Sequence, residues 1–282
     1  MCASPFGVSR FALGFAVVLA ACGSSSSSPP IPEADSRVED GARDSAPSED
    51  TSVADALDAT SKPASILFVG NSYTYVGDLP TQVRDLAASG KTELTIDSVV
   101  LGGATLQMHY ATTGALAKIR EAKWTYVVLQ GQSVEPIYYA ANFQEYAKKL
   151  ADEVKLAGAK PVFYETWARR AGDAIYDDPA SGGDPAGMQA KLRAEYAKAA
   201  TANDGLLARV GDAREIALAK TFTFSLFDPD GSHPTVEGAY LGACVFHKVL
   251  TGRVSLGLSS RPTSLTATDA SALQTIADSV TP

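Results

Sequence analysis

The chain has 282 residues, 45% hydrophobic and 20% charged, with a net charge of −8, values ordinary for a soluble globular protein. The acidity is uneven: residues 23–62 hold nine acidic and three basic side chains, so the rest of the chain is close to neutral. With no basic stripe there is no case for nucleic acid, and nothing marks a funnel for acidic substrates.

Residues 11–21 form a short apolar run behind Arg10. It is too short to span a bilayer as a mature helix and suits the core of a signal peptide. The run ends in Leu19-Ala20-Ala21-Cys22 followed by Gly23, which resembles a bacterial lipobox. That resemblance implies cleavage after residue 21, an acylated Cys22 and a lipid-anchored protein outside the cytoplasm, on an outer membrane or cell surface. Residues 22–62 are rich in serine, proline and acidic groups and poor in large apolar ones, the composition of a disordered tether. Residues 63–282 are expected to form one domain. Cys2 leaves with the leader and Cys22 is taken by lipid, so Cys244 stands alone in an apolar helix-like run, as a small buried hydrophobe with no disulfide partner.

Within the domain, strand-like and helix-like segments alternate. Residues 66–69 read as a strand stopping at Gly70. A helix opens at Asp78 and Pro80, with Leu79, Val83 and Leu86 on one face, and closes at Gly90. Residues 94–101 read as a second strand ending at Gly102-Gly103, followed by a helical stretch to about Arg120. Residues 124–129 are a third strand ending at Gln130-Gly131. Phe143, Tyr146, Leu150 and Val154 recur at helical spacing before Gly158. Residues 161–167 are a fourth strand. A polar loop over 169–183 then leads to a helix with Asp184 at its N-cap and Pro185 at N1. A weak fifth strand lies near 206–210, and the last two helices start near Pro234 and Asp269. This alternation predicts an α/β fold with a mainly parallel sheet covered on both faces. Ligands bind such sheets beyond the carboxyl ends of the strands.

Two of those ends carry chemistry. Ser72, in the Gly70-Asn71-Ser72-Tyr73 turn after the first strand, places a hydroxyl and an amide toward the same space, as acyl transfer requires. Among three histidines, His247 falls inside an apolar helix, where packing or a solvent edge explains it. His109 follows the second strand tip, which leaves a secondary site role open. His233 lies in Asp228-Pro229-Asp230-Gly231-Ser232-His233-Pro234, just before a helix. A carboxylate three residues earlier can fold back onto the Nδ1 of His233 and leave its Nε2 facing a serine. Asp230 has that spacing, and Asp228 is the competing orienter. The Asp-Pro-Asp-Gly run loosely suggests a calcium loop but lacks the later acidic ligand. No P-loop, dinucleotide fingerprint or paired-cysteine zinc motif is present, so neither cofactor nor metal is expected.

Taken in order, G-N-S-Y after strand one, a glycine after strand two, G-Q-S after strand three and D-G-S-H-P near the C-terminus resemble the SGNH/GDSL hydrolase superfamily, in a divergent branch. The resemblance covers nearly all of residues 63–282. It implies a flavodoxin-like three-layer α/β/α sandwich with a five-stranded sheet, and ester hydrolysis without a metal. It further implies Ser72 as nucleophile, His233 as base and Asp230 as orienter. The oxyanion hole would comprise the amides of Ser72 and Gly103, with Gly102 as the alternative. Ser133 stands where the family usually has a donating asparagine, with Gln132 as the alternative donor; Asn71 stands where many members have aspartate. Tyr73, Tyr75, Trp167, Tyr176 and the 169–183 loop are candidates for a substrate cleft. The expected activity is that of an extracytoplasmic serine esterase or deacylase acting through an acyl-enzyme on a small-molecule or polysaccharide ester, acetylated polysaccharide included. The alternative is a weakly active or non-catalytic ligand- or glycan-binding lipoprotein on a degenerate scaffold, which the absent asparagine favours.

Overall fold

This computed structural model describes residues 63–121 and 124–280. The signal peptide, Cys22 and the tether inferred from the sequence lie outside the described residues. Five strands, β1 (Ala64–Gly70), β2 (Leu94–Val100), β3 (Tyr126–Leu129), β4 (Lys160–Tyr164) and β5 (Leu206–Ala208), form one sheet in the order β2-β1-β3-β4-β5. All pairings are parallel, which gives the α/β sandwich expected from the sequence. Parallel pairing forces a crossover between neighbouring strands, and the crossovers cover both faces. For that reason Ile66, Leu67, Phe68 and Val69 of β1 are all fully buried, and this interior strand reads as continuous rather than alternating.

The two faces divide the strand residues by parity. Ile66, Phe68, Val128, Val162 and Ala208 pack with α2 (Leu79–Ser89), α8 (Val210–Leu218), α9 (Val236–Thr251) and α10 (Ala267–Ser279). Leu67, Val69, Val127, Leu129 and Phe163 pack against α3 (Leu106–Ala111), α4 (Ala115–Glu121), α6 (Ala140–Leu156) and α7 (Pro185–Ala202). Two one-turn helices, α1 (Ser72–Tyr75) and α5 (Glu135–Tyr138), stand at the carboxyl ends of β1 and β3.

Several boundaries differ from the sequence reading. The stretch expected to be helical up to Arg120 is two helices, because Gly114 at φ +82 breaks it. The fourth strand ends at Tyr164, not residue 167, because its neighbour β5 stops at Ala208, whose carbonyl accepts from the Glu165 N–H at 3.0 Å as the last bond between them. The fifth strand ends at Ala208, and Val210 already begins α8, which the sequence did not announce. The last two helices start at Val236 and Ala267, capped by Thr235 and Thr266. Asp184 does cap α7, accepting from the Gly187 amide at 2.7 Å with Pro185 behind it. Cys244 is a buried free cysteine whose thiol is pushed up by burial. Among the described residues no helix is long and apolar enough to cross a membrane, and no group of His, Cys, Asp and Glu is placed to hold a metal.

Glu165 is a buried acid at the end of β4. Its Oε1 accepts from Gln189 Nε2 at 2.8 Å and from the Asp212 amide at 3.1 Å, while Oε2 has no hydrogen-bond partner. Burial, and then the charge of Asp212, push its carboxyl up from 4.5 to about 9. A carboxyl raised by folding favours the native state in its protonated form. That contribution is complete below about 4.5 and is lost as pH rises toward about 9. Glu165→Gln retains an acceptor and cannot ionise. Its urea midpoint relative to the parent is therefore expected to be flat below pH 4.5 and to climb through pH 9. Parallel pH profiles for the two proteins would contradict this account.

Candidate active site

Gly70 ends β1 with no room for a side chain: a Cβ there would fall 2.6 Å from Gln130 Oε1 and 2.4 Å from Thr74 Oγ1. The close approach lets Gln130, at the end of β3, dock on the next residue. The Asn71 amide donates to Gln130 Oε1 at 2.9 Å, and Gln130 Nε2 donates to Asn71 Oδ1 at 2.9 Å. Asn71 Oδ1 also caps α1 by accepting from the Tyr73 amide at 3.1 Å. Its Nδ2 donates to Ala104 O at 3.0 Å and Gly131 O at 3.2 Å. One buried pair of side chains thus joins the loops that follow β1, β2 and β3.

Ser72 opens α1. Its Oγ lies 2.9 Å from His233 Nε2, across 161 residues of sequence. His233 Nδ1 lies 2.5 Å from Asp230 Oδ2, and the other oxygen of Asp230 accepts from the Ser232 and His233 amides at 2.9 and 3.0 Å. Burial raises the Asp230 carboxyl, but the His233 imidazole and the two amides outweigh it and hold it at about 2. Asp230 is thus a carboxylate at neutral pH, fixing Nδ1 as the protonated nitrogen and leaving Nε2 to accept from Ser72. Asp228 joins the turn through its backbone, its N–H donating to His233 O at 2.9 Å and its C=O accepting from Gly231.

The second amide expected at the site comes from the turn after β2. Leu101 N donates to Gly70 O and Ala104 N to Leu101 O, which leaves Gly103 at the bend with φ +69. That left-handed conformation suits glycine, and a Cβ there would meet nothing within 4 Å. Among the described residues neither the Ser72 nor the Gly103 amide has an acceptor. Gly102 approaches the rim instead, where a Cβ would stand 3.1 Å from the Tyr75 hydroxyl.

Ser133 and Gln132 separate clearly. The Gln132 side chain is folded onto its own loop: Oε1 accepts from the Val134 amide at 2.8 Å and Nε2 donates to Ser133 Oγ at 3.1 Å. Ser133 is buried and also accepts from Arg169 Nη2 at 3.4 Å. With two N–H groups directed at its oxygen, its remaining capacity is to donate its own proton. Glu135, which no periodicity revealed, sets the spacing behind these loops. Its buried Oε2 accepts from Leu106 N at 3.2 Å and Gln132 N at 3.0 Å. Burial raises its carboxyl above the usual range.

The floor is aromatic. Tyr73 stacks on Trp167 with centroids 4.4 Å apart and meets the His233 ring edge-on at 5.7 Å. Its hydroxyl lies 2.7 Å from Ser232 Oγ. Trp167 Nε1 donates to Ser232 O at 3.0 Å. On the far side Arg214 stacks over Trp167 at 4.2 Å and Phe227 at 4.4 Å, and its Nη2 donates to Leu226 O. Burial lowers the Arg214 guanidinium to about 10, which still leaves it cationic at neutral pH. Of the four aromatics considered as cleft residues, Tyr73 and Trp167 are therefore buried supports. Tyr75 is 47% exposed at the rim, and Tyr176 donates to Arg169 O at 2.5 Å and pins that loop. His109 is also structural: its Nε2–H donates to Gly70 O at 2.9 Å, and burial lowers it to about 4, so it stays neutral. His247 packs in α9 against Ser255 Oγ.

The Asn71 pair gives a sharp test. Asn71→Asp preserves the cap on Tyr73 but turns a carboxylate oxygen toward Ala104 O and Gly131 O, where Nδ2 now donates. Two lost donations and a buried repulsion are expected to cost about 2–4 kcal/mol in chemical denaturation. A variant as stable as the parent would remove Asn71 from this role.

No family model and no curated protein matches the chain. Solved structures do. A protein from Slackia heliotrinireducens, described as an SGNH hydrolase, is 30% identical, with a TM-score of 0.57; the match covers 67% of this chain and all of that one. A DUF4886 family protein from Bacteroides uniformis superposes with a TM-score of 0.67 at 18% identity, over 77% of this chain and 93% of its own. An acetyl-xylooligosaccharide esterase from Geobacillus stearothermophilus gives 0.53 at 15% identity, over 70% and 97%. These last two matches speak for the fold. The first, at 30% identity across the relative's full length, shows that the chain belongs to the SGNH hydrolase superfamily.

Proposed function

We propose that the chain is a serine esterase or deacylase working through an acyl-enzyme, with Ser72 as nucleophile, His233 as base and Asp230 as orienter. The observation that carries this reading is the continuous relay from Asp230 Oδ2 through His233 to Ser72 Oγ, at 2.5 and 2.9 Å. Ser72 Oγ attacks the ester carbonyl while His233 Nε2 takes its proton. The developing oxyanion is met by the Ser72 and Gly103 amides and by the Ser133 hydroxyl. Collapse expels the alcohol, which receives the proton from Nε2. Water then attacks the acyl-enzyme with His233 again as base, and the acid product leaves. Throughout, Asp230 holds the tautomer and stabilises the imidazolium.

The substrate class we propose is an acylated saccharide or polysaccharide, a reading supported by the fold shared with an acetyl-xylooligosaccharide esterase. The lipobox-like Leu19–Cys22 segment supports a lipid-anchored, extracytoplasmic location for the enzyme. A preassembled relay beside two unpaired amides favours catalysis over a purely binding role on the same scaffold.

Ser72→Ala and His233→Ala are expected to abolish p-nitrophenyl acetate hydrolysis with unchanged circular dichroism, and Ser72→Ala to abolish fluorophosphonate labelling. Asp230→Asn is expected to lower kcat by up to about 10⁴, and Asp228→Asn far less. Hydrolysis that survives Ser72→Ala would end this assignment. Ser133→Ala is expected to lower kcat by about 10²-fold with little change in KM. Gln132→Ala should act only through the Ser133 loop and cost less; the reverse order would transfer the donor role to Gln132.

The location has its own test. Mass spectrometry of the mature protein is expected to find an acylated Cys22 at its N-terminus, and Cys22→Ala to shift the protein out of the membrane fraction. An unmodified N-terminus elsewhere would rule out lipidation.

A further inference from the structure

Ser133 is buried, and a hydroxyl left to itself can swing its single proton toward any acceptor. Here two donors converge on its oxygen. Arg169 Nη2 donates at 3.4 Å and Gln132 Nε2 at 3.1 Å. Both bonds are long, but the first comes from a cation, and a charged donor polarises the hydroxyl that receives it. The guanidinium is held in place for this contact. Asp173 stands 3.7 Å from its Nη1 and is itself anchored by accepting from the Ile175 amide at 2.9 Å. The backbone beneath it is fixed without help from the side chain. The Tyr176 hydroxyl donates to Arg169 O at 2.5 Å, and Arg170 donates its N–H to Gly231 O at 2.9 Å and its Nη2 to Pro229 O at 3.0 Å. Pro229 and Gly231 flank Asp230, so one dipeptide ties the Ser133 loop to the loop that carries the base. The charge of Arg169 also reaches the floor of the site. Burial raises the Tyr73 hydroxyl, Arg169 is the foremost group opposing that rise, and Ser133 is among the hydrogen-bond neighbours of the same hydroxyl.

We propose that Arg169 is a positioning residue for the reaction: through its bond to Ser133 Oγ it turns the hydroxyl proton toward the developing oxyanion and lends that proton the polarisation of a cation. The inference rests on the serine esterase reading above and on Ser133 as its third oxyanion donor. Negative charge on the substrate oxygen appears only as the tetrahedral intermediate forms, so the effect falls on kcat and leaves KM alone. Because Ser133 transmits it, removing Ser133 removes it too.

The test is a double-mutant cycle in the full chain with p-nitrophenyl acetate, folding being checked by near-UV circular dichroism. Arg169→Met is expected to lower kcat about tenfold with little change in KM. Arg169→Gln, which stays polar but carries no charge, should lose as much, and Arg169→Lys should recover to within about threefold of the parent, since it restores the cation. In a Ser133→Ala background Arg169→Met should cost less than about twofold, because two contributions that pass through one oxygen do not add. Full additivity of the two substitutions, a change confined to KM, or a kcat for Arg169→Gln equal to the parent's would overturn the proposal. A loss in Ser133→Ala with none in Arg169→Met rejects this inference alone. A silent Ser133→Ala removes the donor role beneath it as well, and hydrolysis that survives Ser72→Ala removes the esterase assignment itself.

Discussion

The amide pair of Asn71 and Gln130 is the contact on which the rest of the site depends. The Asn71 backbone N–H donates to Gln130 Oε1 and Gln130 Nε2 donates to Asn71 Oδ1, so a hydrogen bond runs in both directions across the β1 and β3 ends. The remaining valences reach Ala104, Gly131, Tyr73 and Thr74. Polar groups this deep are costly unless every one is paired, and when paired they fix a single geometry. What they fix here is the relative height of three strand-end loops. The serine, the Gly103 turn and the Ser133 loop each belong to one of them. Glu135 repeats the arrangement one layer back, with a single carboxylate oxygen accepting from the α3 and β3 loops.

The histidine arrives on a separate piece of chain and needs a separate clamp. Arg214 provides it by lying between Trp167 and Phe227 and donating to Leu226 O. Cation–π contacts are worth more when desolvated, and this cation is fully buried. Trp167 then links the clamp to the serine side by stacking on Tyr73 and holding Ser232 O. His233 is therefore positioned through a stack of four planar groups, and only Asp230 touches it with a charge.

Much of this was legible in the sequence, for identifiable reasons. The alternation of apolar runs and helical periodicities gives the fold class, because parallel strands buried on both faces cannot hide their composition. His233 stands out because only three histidines exist and only one has a carboxylate three residues earlier in a loop. The supports were illegible. Gln130 follows an apolar run, where a polar residue reads as the start of a loop and not as the hub of a network. Arg214 and Glu165 become buried only when α8 closes on β4. That helix buries mostly small residues, Val210, Gly211, Ala213 and Ala217, too weak a stripe to be recognised. Gln132 illustrates the reverse: a plausible donor by position, it is spent on its own loop in the folded protein.

The bond between Ser72 and His233 has a temporal side as well. During synthesis β1 and the serine that follows it emerge early, and the partner that would activate the hydroxyl emerges 161 residues later. Until then the Ser72 hydroxyl has no imidazole beside it and stays as inert as any other serine. A chain interrupted before residue 233 would lack the histidine and also α9 and α10, which cover one face of the sheet, so the last segments to be made complete the relay and that half of the core together.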